Sequence, residues 1–226
     1  MRTLILILLL TTTLFAQKLE KEYDISYGVF SALGKAKASL YINKETKEYE
    51  ATIEAKATGL AKFLSNGKYE RYISKGKIEG NIFVPQTFYK LSATNSKKRE
   101  KFYTFDYNKE LIFLKYIQSK KDKEIVEEEI LPFFTDNDLL SLFFNLKDIL
   151  FDLEVDKEFN FVAIGNDKNH GIISVKKLDK RNLKVYLNQK IFSSKRGELE
   201  VELENDGLCK MALLKDVLLF GDIVAK

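Results

Sequence analysis

The sequence has few of the residues that form covalent cross-links or carry catalysis. Its 226 residues include one cysteine, one histidine, two prolines and no tryptophan. A single cysteine excludes an intrachain disulfide, and we interpret Cys209 as a small buried hydrophobe rather than a reactive thiol. A zinc site built from cysteine and histidine would have only Cys209 and His170 as ligands, which is too few. We therefore predict no metal site and no cofactor.

Catalytic motifs are also missing. A Ser-His-Asp arrangement could use only His170, and no Gly-x-Ser-x-Gly elbow accompanies it. The stretch SKGKIEG lacks the glycine spacing of a phosphate-binding loop, and most acids alternate outward along predicted strands. We predict no catalytic residues and a protein that is not an enzyme. An enzyme that uses His170 or buried acids stays as a weaker alternative.

Neither sign of charge is in large excess, since the sequence has 37 basic and 33 acidic residues and a net charge of +4. Nucleic-acid-binding proteins usually concentrate basic charge on one surface. Here the basic clusters are confined to Lys97–Arg99, Lys120–Lys121 and Lys180–Arg181, each at a predicted hairpin turn. We interpret these clusters as solvated turns and predict no nucleic-acid partner.

Long apolar runs are absent except at the N-terminus, where Leu4–Leu10 follows Arg2 and leads to the small residue Ala16. This order is typical of a secretory signal peptide. We predict a signal peptide over residues 1–16, cleavage before Gln17, a periplasmic location and no transmembrane segment after cleavage. Because no linker rich in proline, glycine or serine interrupts the rest, residues 17–226 are predicted to form a single β-rich domain.

The most frequent pattern in the sequence is strict alternation of apolar and charged residues. Tyr49, Ala51 and Ile53 alternate with Glu50, Thr52 and Glu54, and similar runs follow between turns rich in asparagine and glycine. Alternation places one row of side chains inward and one outward. The predicted fold is mostly β, a large curved antiparallel sheet or open β-barrel of about 10–12 strands.

The stretch KREKFYTFDY places four aromatic residues behind a basic cluster. Its alternation predicts a core strand, and residues 102–117 are predicted to form a hairpin near the centre of the sheet. A ligand-binding platform is the alternative, because a curved sheet can line a cavity with its inner face.

One helix is predicted in TDNDLLSLFFNLKDIL. Thr135 or Asp136 is the predicted N-cap, with Asp138 in the first turn. Apolar residues recur every three or four positions, so we expect this helix to pack against the concave side of the sheet. A second short helical turn is predicted at Leu60–Leu64.

The order of segments resembles the bacterial exported proteins of unknown function grouped as DUF3108. The likeness covers nearly all of the chain after the signal peptide. It rests on short features, namely Tyr27 and Gly28, Ser74 and Gly76, Pro85, Lys98 and Arg99, Phe105 and Asp106, and Asp138–Ser141. The resemblance implies an exported β-rich protein and no assigned chemistry.

We predict from these observations a non-enzymatic periplasmic protein that binds an apolar or lipid-like ligand in the concave face of the sheet. An envelope assembly or scaffold protein, acting through protein–protein contacts, is the alternative function. The predicted ligand-binding residues are Tyr27, Arg99, Tyr103, Phe105, Tyr107, Phe143 and Phe144.

Overall fold

Antiparallel strands account for most of the chain. The computed structural model describes residues 16–28, 30–121, 123–150, 153–165, 171–187, 197–217 and 221–226. The predicted signal peptide, apart from Ala16, and the sole histidine, His170, lie outside these residues. The strands are β1 (Ala16–Tyr27), β2 (Phe30–Asn43), β3 (Glu48–Ala57), β4 (Tyr69–Glu79), β5 (Ile82–Ala93), β6 (Lys97–Asp106), β7 (Leu111–Lys120), β8 (Lys123–Ile130), β9 (Glu158–Val162), β10 (Ile172–Lys177), β11 (Asn182–Leu187), β12 (Glu198–Leu203), β13 (Cys209–Val217) and β14 (Gly221–Ala225). The helices are α1 (Gly59–Leu64) and α2 (Leu139–Ile149).

All fourteen strands belong to one open sheet, in the order β8-β7-β6-β5-β4-β3-β2-β1-β14-β13-β12-β11-β10-β9. In the middle of this order Ile25 pairs with Ala225 and Tyr27 with Ile223. The predicted fold class is confirmed, with more strands than the expected 10–12. Strands such as β9 and β14 span only five residues, too few to show a clear alternation.

The two faces of the sheet divide apolar from charged side chains as the alternation predicts. On the inner face Ala38 and Leu40 of β2 and Ala51 of β3 are buried. On the outer face Lys75 lies 2.8 Å from Glu50, and Arg71 lies 3.0 Å from Glu54. Such exposed ion pairs contribute little to stability, so burial on the inner face is the main stabilising term.

Residues 102–117 form the predicted hairpin, but its predicted central position is wrong. The hairpin belongs to β6 and β7, which are third and second from the sheet edge at β8. Tyr103 and Phe105 are buried on the inner face, whereas Phe102 is 40% exposed on the outer face. Apolar residues on both faces suggested a central strand, but the outer ones remain in contact with solvent.

Helix α2 begins later than predicted, because Asp138 is its N-cap rather than Thr135 or Asp136. The Asp138 carboxylate accepts hydrogen bonds from the N–H groups of Leu140 and Ser141, and the Ser141 hydroxyl accepts one from the N–H of Asp138. Thr135 instead donates its hydroxyl to the Val162 carbonyl at 2.6 Å. The residues before the helix are therefore held against the end of β9.

Helix α2 packs between the two halves of the curved sheet, as the apolar pattern predicts. Leu140 and Phe144 join a core cluster formed with β2, β3 and β5–β7. Leu142 and Leu146 join a second cluster formed with β10–β12. The helix thereby covers the concave face, and its buried side chains connect the two clusters.

Helix α1 confirms the short helical turn predicted at Leu60–Leu64, and none of its residues is buried. Within the described ranges, neither helix is long enough and apolar enough to cross a membrane.

Candidate functional site

Small side chains on the inner face leave space beneath α2. Ala36 and Ala38 of β2, Ala212 of β13 and Ala225 of β14 lie where longer side chains would reach the helix. A cavity of about 360 Å³ results, lined by residues of β1–β4, α2 and β10–β14. Most of its lining is aliphatic or aromatic, including Ile53, Leu142, Phe143, Leu146, Ile173, Val175, Leu199 and Val201.

The polar side chains at this cavity already have partners. The Tyr23 hydroxyl donates to the Cys209 carbonyl at 2.7 Å, and burial raises the pKa of Tyr23 so that it stays protonated. The Tyr72 hydroxyl donates to Glu70 at 3.2 Å. The Lys37 amino group lies 3.0 Å from Glu20 on the outer face. A ligand in this cavity would therefore meet mainly apolar surface.

Cys209 is half-buried at the wall of the cavity. Burial raises the pKa of its thiol to about 12, so the thiol is neutral at physiological pH. Because the thiolate is the nucleophilic form, this geometry supports the interpretation of Cys209 as a small apolar residue.

Of the predicted ligand-binding residues, Phe143 is the one that lines the cavity. Tyr103, Phe105 and Phe144 lie together in the core cluster on the other side of α2. Tyr27 packs in a small neighbouring cluster with Leu214.

The remaining two predicted residues lie elsewhere. Tyr107 donates its hydroxyl to the Pro85 carbonyl at 2.6 Å, and Arg99 is exposed near the start of β6. The alanines that create the cavity were missed, although the alternation of Ala36 and Ala38 with charged and polar residues in KAKASL is a visible signal.

A second cleft of about 600 Å³ lies beside the C-terminal end of α2. Leu40, Phe83 and Phe144 contribute apolar surface to it, and Lys44 and Lys147 contribute charge. Asp148 and Asp206 also line it. It is more polar than the cavity beneath the helix, so we place the candidate site in the apolar cavity.

A buried polar chain links α2 to the sheet. The Ser74 hydroxyl donates to the Asp138 carboxylate at 2.5 Å, and the Tyr49 and Ser74 hydroxyl oxygens are 2.8 Å apart. Burial raises the pKa of Asp138 to about 7, against the lowering effect of its donors. Ser74 and Asp138 have no exposed surface, so a substrate cannot reach them and their role is structural.

Asn145 makes a second polar connection between α2 and the sheet. Its side chain accepts from the Phe83 N–H at 2.8 Å and donates to the Phe83 carbonyl at 3.0 Å. The pairing of β5 with β6 starts only at Thr87, so these Phe83 groups have no partner on β6. The amide of Asn145 takes the place of a neighbouring strand.

Several features behind the resemblance meet at this junction of α2 and the sheet. Ser74 bonds Asp138, and a Cβ on Gly76 would lie 2.0 Å from the Val84 carbonyl oxygen, beside Pro85. A model for proteins of unknown function, DUF3108, matches residues 22–201. The chain belongs to the DUF3108 family. Comparisons of this DUF3108 protein with curated proteins and with solved structures find no match.

Within the described part of this DUF3108 protein, no three histidine, cysteine, aspartate or glutamate residues are grouped to hold a metal ion. The wall of the candidate site is mainly apolar, and such a surface can bind a molecule by shape and burial.

Proposed function

We propose that this DUF3108 protein is an exported, non-enzymatic protein that binds an apolar or lipid-like ligand in the cavity beneath α2. The observation that carries the proposal is the apolar cavity of about 360 Å³ between the helix and the concave face of the sheet. Ligand pockets are typically apolar and range from about 300 to 1,000 Å³. The cavity lies at the lower end of that range, which favours a ligand with a single hydrocarbon chain.

Ligand binding is tested first on the purified mature protein. Organic extraction followed by mass spectrometry should release a co-purified lipid, and a fluorescent fatty acid should bind and be displaced by an unlabelled one. Absence of both signals would contradict the proposal.

The position of the ligand is tested by filling the cavity. Ala38 is buried at the cavity wall, so Ala38→Leu should weaken fatty-acid binding at least about tenfold, because the added carbons occupy ligand space. Ser39→Leu is the matched control, since Ser39 lies on the outer face of the same strand. Equal affinity of both variants would exclude this cavity as the site.

Export is tested separately by fractionation of cells that express the full chain. We expect the protein in the periplasmic fraction with Gln17 as its first residue. A cytoplasmic protein that keeps residues 1–16 would contradict this part of the proposal, whatever the ligand result.

An envelope scaffold is the second candidate function, and the edge strand β8 favours it. All eight residues of β8 are exposed, and among the described strands β8 has a neighbour on one side only. A partner strand could add to such an edge. Ile125→Pro should abolish capture of an envelope partner and leave fatty-acid binding unchanged, whereas loss of fatty-acid binding alone would not support the scaffold.

A further inference from the structure

Helix α1 exposes three large apolar side chains to solvent. Leu60 is 64% exposed, Phe63 83% and Leu64 74%. All three belong to one six-residue helix that has no buried residue. Single exposed apolar residues are common, but a contiguous group of this kind marks an interaction surface.

Backbone and side-chain hydrogen bonds fix α1 to the strands around it. The N–H of Thr58 donates to the Leu33 carbonyl at 2.9 Å, and the N–H of Asn95 donates to the Asn66 carbonyl at 2.9 Å. The Asn66 side chain also donates to the Ser96 hydroxyl at 2.9 Å. The apolar side chains are therefore presented from a fixed position at the end of the sheet.

The surroundings of α1 are basic. Residues 55–69 contain three lysines and no acidic residue, and one of the three, Lys68, pairs with Glu70 at 3.0 Å. The turn that contacts α1 leads directly into Lys97 and Arg99, and Lys97 pairs across the strands with Lys120. Across the described chain, neither Lys62 in α1 nor any of these three residues has an ion-pair partner, whereas many other lysines do.

The pKa of Lys97 is lowered from its ordinary value. Desolvation lowers it first, and the like charges of Arg99 and Lys120 lower it further. We name the combined surface the α1 tip, formed by Leu60, Phe63 and Leu64 together with Lys62, Lys97, Arg99 and Lys120.

We propose that the α1 tip docks this protein onto an anionic lipid surface. Phenylalanine and leucine side chains insert into the boundary between headgroups and acyl chains, and neighbouring lysine and arginine side chains attract anionic headgroups. The three apolar side chains expose roughly 400 Å², about half of what each partner buries in a stable protein interface. A small apolar group with unpaired basic neighbours suits a membrane surface better than a protein partner.

The α1 tip lies at the end of strands that line the cavity. Ile53 of β3 and Tyr72 of β4 pair with each other and both line the cavity, and α1 joins these two strands. Docking through α1 would bring the cavity close to lipid. The docking proposal goes beyond ligand binding and does not require the cavity to be occupied.

Vesicle flotation tests the proposal with the mature protein. We expect binding to vesicles of phosphatidylcholine that contain phosphatidylglycerol, and weaker binding to phosphatidylcholine alone. Phe63→Ser combined with Leu64→Ser should lower binding at least about tenfold. Lys97→Gln combined with Arg99→Gln should lower binding to the anionic vesicles about tenfold, and high salt should have the same effect.

The matched control is Phe113→Ser combined with Ile130→Ser. These residues pair with each other and are 39% and 53% exposed, and they lie at the other end of β7 and β8. This control should bind vesicles as the unchanged protein does. Fluorescent fatty-acid binding should be the same in all variants, which separates the docking result from the ligand result.

Three outcomes would overturn the proposal. The first is no binding of the unchanged protein to anionic vesicles. The second is vesicle binding that survives the changes at Phe63 and Leu64. The third is self-association in sedimentation experiments that these changes abolish without altering vesicle binding, which would assign the α1 tip to a contact between copies of the chain.

Discussion

Asp138 is a fully buried carboxyl group whose neighbours are hydrogen-bond donors. It caps α2, accepts from Ser74 and has its pKa raised to about 7 by burial. In the unfolded chain the same group titrates near 3.8. Between these two pKa values the folded protein holds a proton that the unfolded chain has released.

This difference makes stability depend on pH with a definite sign. Since the folded state binds the extra proton, the free energy of unfolding should fall as pH rises from about 4 to about 7, by roughly 1 kcal/mol per pH unit from Asp138. Asp138→Asn keeps a capping oxygen and cannot titrate, so its stability should lack this component. Urea unfolding at several pH values measures the difference between the two curves.

Asp148→Asn is the control for Asp138, because Asp148 is an exposed carboxyl group on the same helix. This variant should follow the unchanged protein at every pH. Parallel curves for Asp138→Asn and the unchanged protein would show that Asp138 is ionised in the folded state across the range.

At the scale of elements, α2 depends on polar contacts as well as apolar ones. Asn145 supplies both hydrogen bonds that Phe83 would otherwise lack on one side. Burying an unpaired backbone group costs more than a single hydrogen bond contributes. The attachment of the helix to β5 therefore depends on one amide in an otherwise apolar surface.

Asn145→Leu should lower the free energy of unfolding by about 2 to 4 kcal/mol. A leucine side chain has a similar size to that of asparagine, but it leaves the N–H and C=O of Phe83 without a hydrogen-bond partner. The measurement is urea unfolding at a fixed pH. Asp148→Leu, at an exposed position of the same helix, should change it by less than about 0.5 kcal/mol. Equal effects of the two changes would mean that solvent reaches Phe83.

The elements differ in how far the sequence predicts them. Strands such as β3 and β12 are predicted because alternation depends only on neighbouring residues. The start of α2 is not predicted correctly. A usual capping box has a hydroxyl residue at the N-cap and an acid or amide three residues later, whereas here Asp138 is the N-cap and Ser141 follows. The hairpin of β6 and β7 is recognised, but its place in the sheet depends on distant pairing.

The candidate site is less predictable than the fold. Aromatic residues such as Tyr103 and Phe105 attract attention in a sequence, yet they fill the core instead of lining the cavity. The cavity arises where Ala38 and Ala212 face the same helix from strands far apart in the chain. Which small residues share a space is set by the curvature of the sheet, which local patterns do not contain.

At the scale of the whole molecule, the two edges of the sheet differ. At the β9 edge Thr135 bonds Val162, and Asp138 bridges to Ile164. At the other edge, no described element pairs with the free side of β8. Like charges on an edge strand oppose its pairing with a second copy of the same strand, and β8 carries Glu124, Glu127, Glu128 and Glu129.

Removal of these charges should make the protein self-associate. We expect Glu127→Val combined with Glu129→Val to form dimers or larger species in sedimentation velocity, because the free edge then lacks its charges. Glu50→Val combined with Glu54→Val removes the same charge from β3, which has neighbours on both sides, and should leave the sedimentation unchanged. Absence of self-association in both variants would show that β8 is protected in another way.

The pairing of β1 with β14 has a consequence for how the sheet assembles. Of the thirteen neighbour pairs among the described strands, twelve join strands consecutive in sequence and one does not. Loop-closure entropy grows with the length of the loop that is closed, so its largest cost is confined to that single seam. Each half of the sheet can form from contacts between strands that are consecutive in sequence. The two halves become one continuous sheet only when Ile25–Tyr27 pair with Ile223–Ala225.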